Sequence, residues 1–156
     1  LPLTYTEVTI SKSPNATPSI VHLGGMGTTA NRIGLERFLK VCWNDIKQHI
    51  PNAQLKVIGS LKHGSEYLLT TIENDPQISS LGFVKDLNEV LLPYDLHIIP
   101  WEHNTGTRTR IPLIFNYNQV LVATKAAAAC YPEVVHEENS SLAETLENMT
   151  MQIVDL

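Results

Sequence analysis

With 156 residues, 43% of them hydrophobic and 17% charged, the chain fits one compact domain with an ordinary core, and composition argues against a disordered or fibrous protein. Eleven Lys and Arg against sixteen Asp and Glu leave a formal charge of −5. No basic block occurs, so a protein that coats nucleic acid through many phosphate contacts is not expected, whereas a single bound phosphate group stays open. Cys42 and Cys130 form no C-x-x-C pair, which speaks against a disulfide framework or zinc site and for a reducing compartment. No apolar run reaches the roughly 20 residues of a membrane span, and residues 1–20 lack a basic start followed by an apolar stretch. A cytoplasmic location is therefore the expectation. The chain opens on Leu1, not Met, which suggests a piece excised from a longer protein.

Residues 1–18 mix Ser, Thr and three prolines with little periodicity and read as a lead-in or linker with one short strand around Glu7–Ile10. The domain is expected over 19–156. Short branched apolar runs then alternate with longer amphipathic stretches, the pattern of βαβ units and a mostly parallel sheet. The first strand is Ile20–Leu23. Asn31–Ile50 follows as the clearest helix, with Ile33, Phe38, Val41, Cys42, Ile46 and Ile50 at helical steps and Pro51 closing it. Next come a strand over Gln54–Ile58, a helix over Glu66–Asn74 and a strand over Ile78–Leu81. A short Asp-capped helix over Asp86–Leu92 precedes a strand at Leu96–Ile99. Thr107–Tyr117 reads as a helix, although Pro112 favours a start near Ile111. A strand at Val120–Ala123 and a closing helix over Ser140–Met149, capped by Asn139 or Ser140, complete the chain. The fold class expected is α/β: a doubly wound, mostly parallel sheet of five to six strands with helices on both faces. In such sheets ligands bind outside the carboxyl ends of the strands.

The loops at those ends hold the candidate residues. Gly24 and Gly25 open a glycine-rich turn into a helix, where backbone can approach a phosphate and free N–H groups await it; neither G-x-G-x-x-G nor G-K-[ST] is present. Lys62 follows the second strand and reads as a solvated surface cation. Phe83 and Val84 follow the third, suited equally to core or to a shelf for a flat ring. After the fourth, Thr105, Gly106, Thr107, Arg108 and Arg110 gather at a helix start. Basic residues there oppose the helix dipole, so an anion is expected to compensate them. His22 and His97 read as core residues with hydrogen-bond partners, and His49 and His136 as surface positions. His103 alone lies in the right loop. No histidine spacing suggests a metal. Sequons at Asn15, Asn139 and Asn148 have no accompanying sign of secretion.

The order of these features resembles the C-terminal, nucleotide-sugar-binding domain of GT-B glycosyltransferases, especially family 4 and its group 1 relatives, over about residues 19–150. Similar proteins carry N-x-x-G-x-x-x-F-x-x-x-x-W, matched by Asn31, Gly34, Phe38 and Trp43, and P-x-A-x-L-x-V-x-G, matched by Pro51, Ala53, Leu55, Val57 and Gly59. G-F-V-x-D-L corresponds to Gly82–Leu87, and G-T-R-x-K to Gly106, Thr107, Arg108 and, with Arg for Lys, Arg110. A strand ending in proline is matched by Leu96–Pro100, and P-V-V-A-T by Val120–Thr124 with Val120 for Pro. The resemblance implies a hexosyltransferase-type enzyme whose donor substrate is a nucleotide diphosphate sugar, without metal or other cofactor. Gly24, Gly25, Arg108 and Arg110 would hold the diphosphate, and Phe83 and Val84 would face the base.

It also implies an N-terminal acceptor-binding domain outside this sequence, which would supply any peripheral membrane association and often the base. The excised piece would bind but not turn over. Two departures stand out: many relatives carry two glutamates around this segment, one of them contacting ribose, and Leu113 occupies the place of the second, while Asn118 occupies that of a glycine. Thr105 falls where a first carboxylate would lie, with Glu102 out of register. The rival readings are a nucleotide-sugar epimerase of the same fold and a degenerate structural or interaction module.

Overall fold

Five short apolar runs and a sixth segment, Ser140–Ala143, become six parallel strands in the computed structural model of the protein, which describes residues 18–103, 110–129 and 131–156. In chain order the elements are β1 (Ile20–Leu23), α1 (Thr29–Phe38), a π-helical segment (Leu39–Trp43), α2 (Asn44–His49), β2 (Leu55–Ile58), α3 (Glu66–Asn74) and β3 (Ile78–Gly82). A 3-10 turn (Leu87–Glu89), β4 (Leu96–Ile99), α4 (Arg110–Asn116), β5 (Val120–Thr124), α5 (Lys125–Ala128), β6 (Ser140–Ala143) and α6 (Leu146–Val154) follow. The strand order is β3-β2-β1-β4-β5-β6. The chain builds outward from β1 in one direction, then returns to the centre and builds outward in the other, so the winding reverses between β1 and β4. That reversal leaves a crevice at the carboxyl ends of the two central strands.

Register decides which side chains share a face. Ile20 pairs with Leu55 and with Leu96, and these three, with Val57, Ile98 and Val122, pack against Phe38, Trp43, Leu68 and Met149 of the helices on that side. The opposite face carries Val21, Ile58 and Leu91 in one cluster, and Ile99, Leu121 and Ala123 against Ile111, Ile114, Ala127 and Ala128 in another. Helices therefore cover both faces, as the near-continuous apolar strands require.

Several expectations need correction. The helix expected over Asn31–Ile50 starts two residues earlier and includes the π-helical segment, which turns Cys42 and Trp43 into the core. Trp43 then donates its indole N–H to Asp75 at 2.8 Å, with Lys47 on the same carboxylate oxygen at 2.6 Å. Asp86–Leu92 forms only one 3-10 turn, capped as expected by the Asp86 side chain on the Asn88 amide at 3.0 Å. The closing helix is misplaced by the sequence reading: Ser140–Ala143 is the edge strand β6, and Thr145, not Asn139 or Ser140, caps α6. Four residues with alternating burial are compatible with either period until the neighbour β5 is known. Pro112 is the third residue of α4, in the first turn where its missing N–H costs nothing. The strand expected at Glu7–Ile10 lies outside the described residues.

At the amino ends of the central strands the sheet is tied by charge. Lys56 on β2 donates to Asp95 Oδ2 at 3.1 Å and to the Val90 carbonyl at 3.1 Å, while Asp95, fully buried, also accepts from the Ser19 amide at 2.9 Å. Removing one partner strands a buried charge, so Asp95→Asn is expected to cost about 3 kcal/mol in urea denaturation, with the double change Lys56→Met, Asp95→Leu recovering most of it.

Candidate functional site

Gly24 ends β1 with φ of +145°, and the loop it begins lies directly against the loop after β2. The Gly24 amide donates to the Ile58 carbonyl at 2.8 Å and the Met26 amide to the Ser60 carbonyl at 2.9 Å. The contact is close enough that a Cβ on Gly59 would stand 2.7 Å from the Gly24 carbonyl carbon. On its other side, a Cβ on Gly24 would stand 2.4 Å from Asn31 Nδ2 and 2.6 Å from Arg110 Nη2. Glycine is thus required at both positions by space as well as by backbone angle.

The Arg110 guanidinium fills the space that a Gly24 side chain would occupy. It donates to Asn31 Oδ1 at 2.8 Å, and Asn31 Nδ2 donates in turn to the Gly25 carbonyl at 3.1 Å. Burial pulls the Arg110 pKa down to about 10, so the group stays charged at neutral pH while bearing a desolvation cost. Among the described residues no carboxylate pairs with it, and residues 104–109 contain no acidic side chain. Arg32 of α1 reaches back to the same loop, donating to the Met26 carbonyl at 3.2 Å. The start of α1 faces it as well: Thr28 makes no side-chain cap, and the first turn holds no acidic residue. Helices α3, α5 and α6, by contrast, are each capped by a Ser or Thr hydroxyl. A partly buried cation, a glycine loop and an open helix end therefore meet at the reversal point, an arrangement that accommodates a phosphate or diphosphate.

Of the other expected site residues, Gly25 lies in this loop, and Lys62 stands exposed on the adjacent one, its own amide bonded to Ser60 Oγ at 3.2 Å. Phe83 and Val84 part company: Phe83 is 83% exposed beyond β3, while Val84 packs onto the Val21, Ile58 and Leu91 cluster. Thr105, Gly106, Thr107 and Arg108 lie outside the described residues. Leu113 packs with Val84 and Leu87 in the same apolar cluster, which explains why a carboxylate would not suit that position in this chain. Asn118 adopts φ of +54°, a conformation that asparagine tolerates nearly as well as the glycine it replaces.

Glu102 is turned away from this role. It binds Arg37 at 3.0 Å and accepts from the Leu146 amide at 3.4 Å, tying α1 to α6. His103 is exposed and meets Trp101 edge-on at 4.7 Å. Arg32 and the role of Asn31 were missed by the sequence reading. Arg32 carries the signal that singled out Arg108 and Arg110, a cation in a helix's first turn, applied to one helix and not the other.

Among the described residues no three His, Cys, Asp or Glu side chains assemble as metal ligands, and no helix is long and apolar enough to cross a membrane. A second concavity of about 770 Å³, lined by Tyr94, Asn118, Gln119, Glu137 and Ser140 among others, sits at the amino ends of β5 and β6, the end of the sheet away from the crevice.

The fold and the crevice define an α/β, Rossmann-like domain matching one half of a GT-B glycosyltransferase. The family model described as Glycosyl transferases group 1 matches residues 17–156, and the chain belongs to that family. Among solved structures, the crystal structure of TarM aligns with a TM-score of 0.67 over 96% of this chain at 15% identity. The chain spans 30% of the length of the TarM chain. A search of curated protein sequences returns no match.

Two buried histidines lie on the strands beneath the crevice. His97 donates through Nδ1 to Gln119 Oε1 at 2.7 Å, a tautomer set by Gln119 Nε2, which donates to the Leu92 carbonyl at 3.2 Å. Burial, with Arg110 adding to it against the Gln119 bond, takes its pKa to about 3. His22 is held well below the ordinary value by burial and then by Arg110 and His97. The expected hydrogen-bond partner is present for His97, while His22 Nδ1 has none among the described residues. Both imidazoles are neutral in the fold, and the unfolded chain binds their protons first as pH falls through 6.5. Stability is therefore complete above that pH and declines below it, down to about pH 3 for His97, with a slope of about 1.4 kcal/mol per pH unit for each histidine that the fold keeps neutral. Urea midpoints measured between pH 7.5 and 4.5 should fall accordingly, and His97→Gln should flatten the curve.

Proposed function

We propose that this chain is the donor-binding part of its glycosyltransferase, holding the diphosphate of a nucleotide diphosphate sugar at the crevice between β1 and β4. The observation that carries the reading is Arg110: a partly buried cation, fixed over Gly24 and without a carboxylate partner among the described residues. Glycosyl transfer from such a donor leaves a nucleoside diphosphate, so negative charge grows on the bridging oxygen as the glycosidic bond breaks. Groups already aimed at that oxygen lower the barrier without reorganising. In this reading Arg110, the Gly25 amide and the start of α1 do this, with Arg32 and Lys62 adding positive potential around the loop. The exposed Phe83 ring, beyond the third strand of the same edge, offers a stacking face to the base. The acceptor and the group that activates it belong, in this reading, to a second domain of the full protein, and the isolated chain binds without turnover.

Calorimetric titration with UDP, GDP and ADP tests the reading. One of the three should bind saturably, and Arg110→Ala should weaken it about 10- to 100-fold, the worth of one charged hydrogen bond to phosphate. Flat titrations of a folded sample with all three, and with inorganic pyrophosphate, would favour the structural or interaction module instead.

A further inference from the structure

Asn31 occupies the first turn of α1, and its buried amide has both ends committed. Its Nδ2 donates to the Gly25 carbonyl, which can only accept, and its Oδ1 accepts from Arg110, which can only donate. The orientation of the amide is therefore set by chemistry, and with it the position of the guanidinium. We propose that Asn31 is a positioning residue, one that holds Arg110 over Gly24 without neutralising it, so that a ligand phosphate supplies the negative charge the cation lacks. This inference rests on the donor-site reading above.

The choice of an amide is what points to a ligand. Aspartate has the same shape, is favoured in a helix's first turn by the dipole, and would form an ion pair with Arg110. The first turn of α1 instead contains no acidic residue, contains the cation Arg32, and follows a Thr28 whose hydroxyl caps nothing. The guanidinium of Arg110 and the open start of α1 are thus left without an acidic side chain from this turn. An aspartate at position 31 would supply the charge internally, at the cost of the bond to the Gly25 carbonyl, and would close the site to anions.

The test compares wild type, Asn31→Asp and Asn31→Ala by thermal unfolding and by calorimetric titration with inorganic pyrophosphate. Asn31→Asp is expected to keep or raise the melting temperature while weakening pyrophosphate at least 10-fold, and Asn31→Ala to weaken it less while lowering the melting temperature. A purely structural Asn31 would leave pyrophosphate affinity unchanged in a folded Asn31→Ala, the change that removes the clamp without adding charge, and that result overturns the proposal. Should wild type ignore UDP, GDP, ADP and pyrophosphate alike, the donor-site reading fails separately, and ¹⁵N NMR of the Arg110 side chain then judges the clamp. Slow rotation of its terminal nitrogens in wild type, lost in Asn31→Ala, supports the positioning role; rotation unaffected by the substitution overturns it.

Discussion

The missing side chain of Gly24 is the constraint on which the crevice depends. Four segments converge on that Cα: β1 ends there, the loop after β2 lies within bonding distance on one side, and Asn31 of α1 and Arg110 of α4 close on the other. A methyl group at this point would overlap Asn31 and Arg110 together and would displace the guanidinium, and the backbone angle of +145° is itself unfavourable for any other residue. Parallel topology brings β1 and β4 side by side at the point where winding reverses, but it is the absence of a Cβ that allows α4 to deliver a guanidinium onto the end of β1.

The two ends of the central strands differ in how charge is compensated. At the amino end, the buried Asp95 carboxylate is met by Lys56 and by a backbone amide, so its desolvation is offset within the protein. At the carboxyl end, Arg110 is desolvated enough to lower its pKa, yet the side chain it meets among the described residues is a neutral amide. Desolvating an ion is costly unless a partner of opposite sign is supplied. The amino-end pair serves the fold, whereas the carboxyl-end cation is an incomplete pair, and the family to which the chain belongs acts on glycosyl donors. The neutral state of His22 and His97 follows from the same surroundings, since a further positive charge near Arg110 would be doubly penalised.

Much of this architecture is legible in the sequence because it rests on local patterns. Five strands announce themselves as short branched runs, and α1 and α3 as helical spacings, since burying a strand on two faces or a helix on one dictates residue type directly. β6 is not legible, because Ser140–Ala143 becomes a strand only through pairing with β5, a contact absent from its own residues. The same holds within the site. Gly24, Gly25 and Arg110 are visible as a glycine turn and a basic helix start, but the Asn31 to Arg110 bond spans 79 positions, and the pattern that Asn31 heads with Gly34 and Phe38 does not disclose what its amide touches. Glu102 was close in sequence to the expected carboxylate and is spent on Arg37 and α6. Asn118 and Leu113 show the opposite case, in which departures from a familial pattern have local reasons, a left-handed backbone and an apolar cluster, that the sequence does not display.

The central claim is that ligand anions enter at the carboxyl ends of β1 and β4. Backbone amide NMR, recorded while UDP is titrated into the ¹⁵N-labelled protein, tests it most directly because the two concavities lie at opposite ends of the sheet. Binding at the crevice is expected to shift Gly24, Gly25, Thr29 and Asn31 first, with Phe83 and Val84 moving in the same concentration range. Shifts confined to Tyr94, Asn118, Gln119 and Glu137 at the other end, with the glycine loop unmoved, would contradict the account.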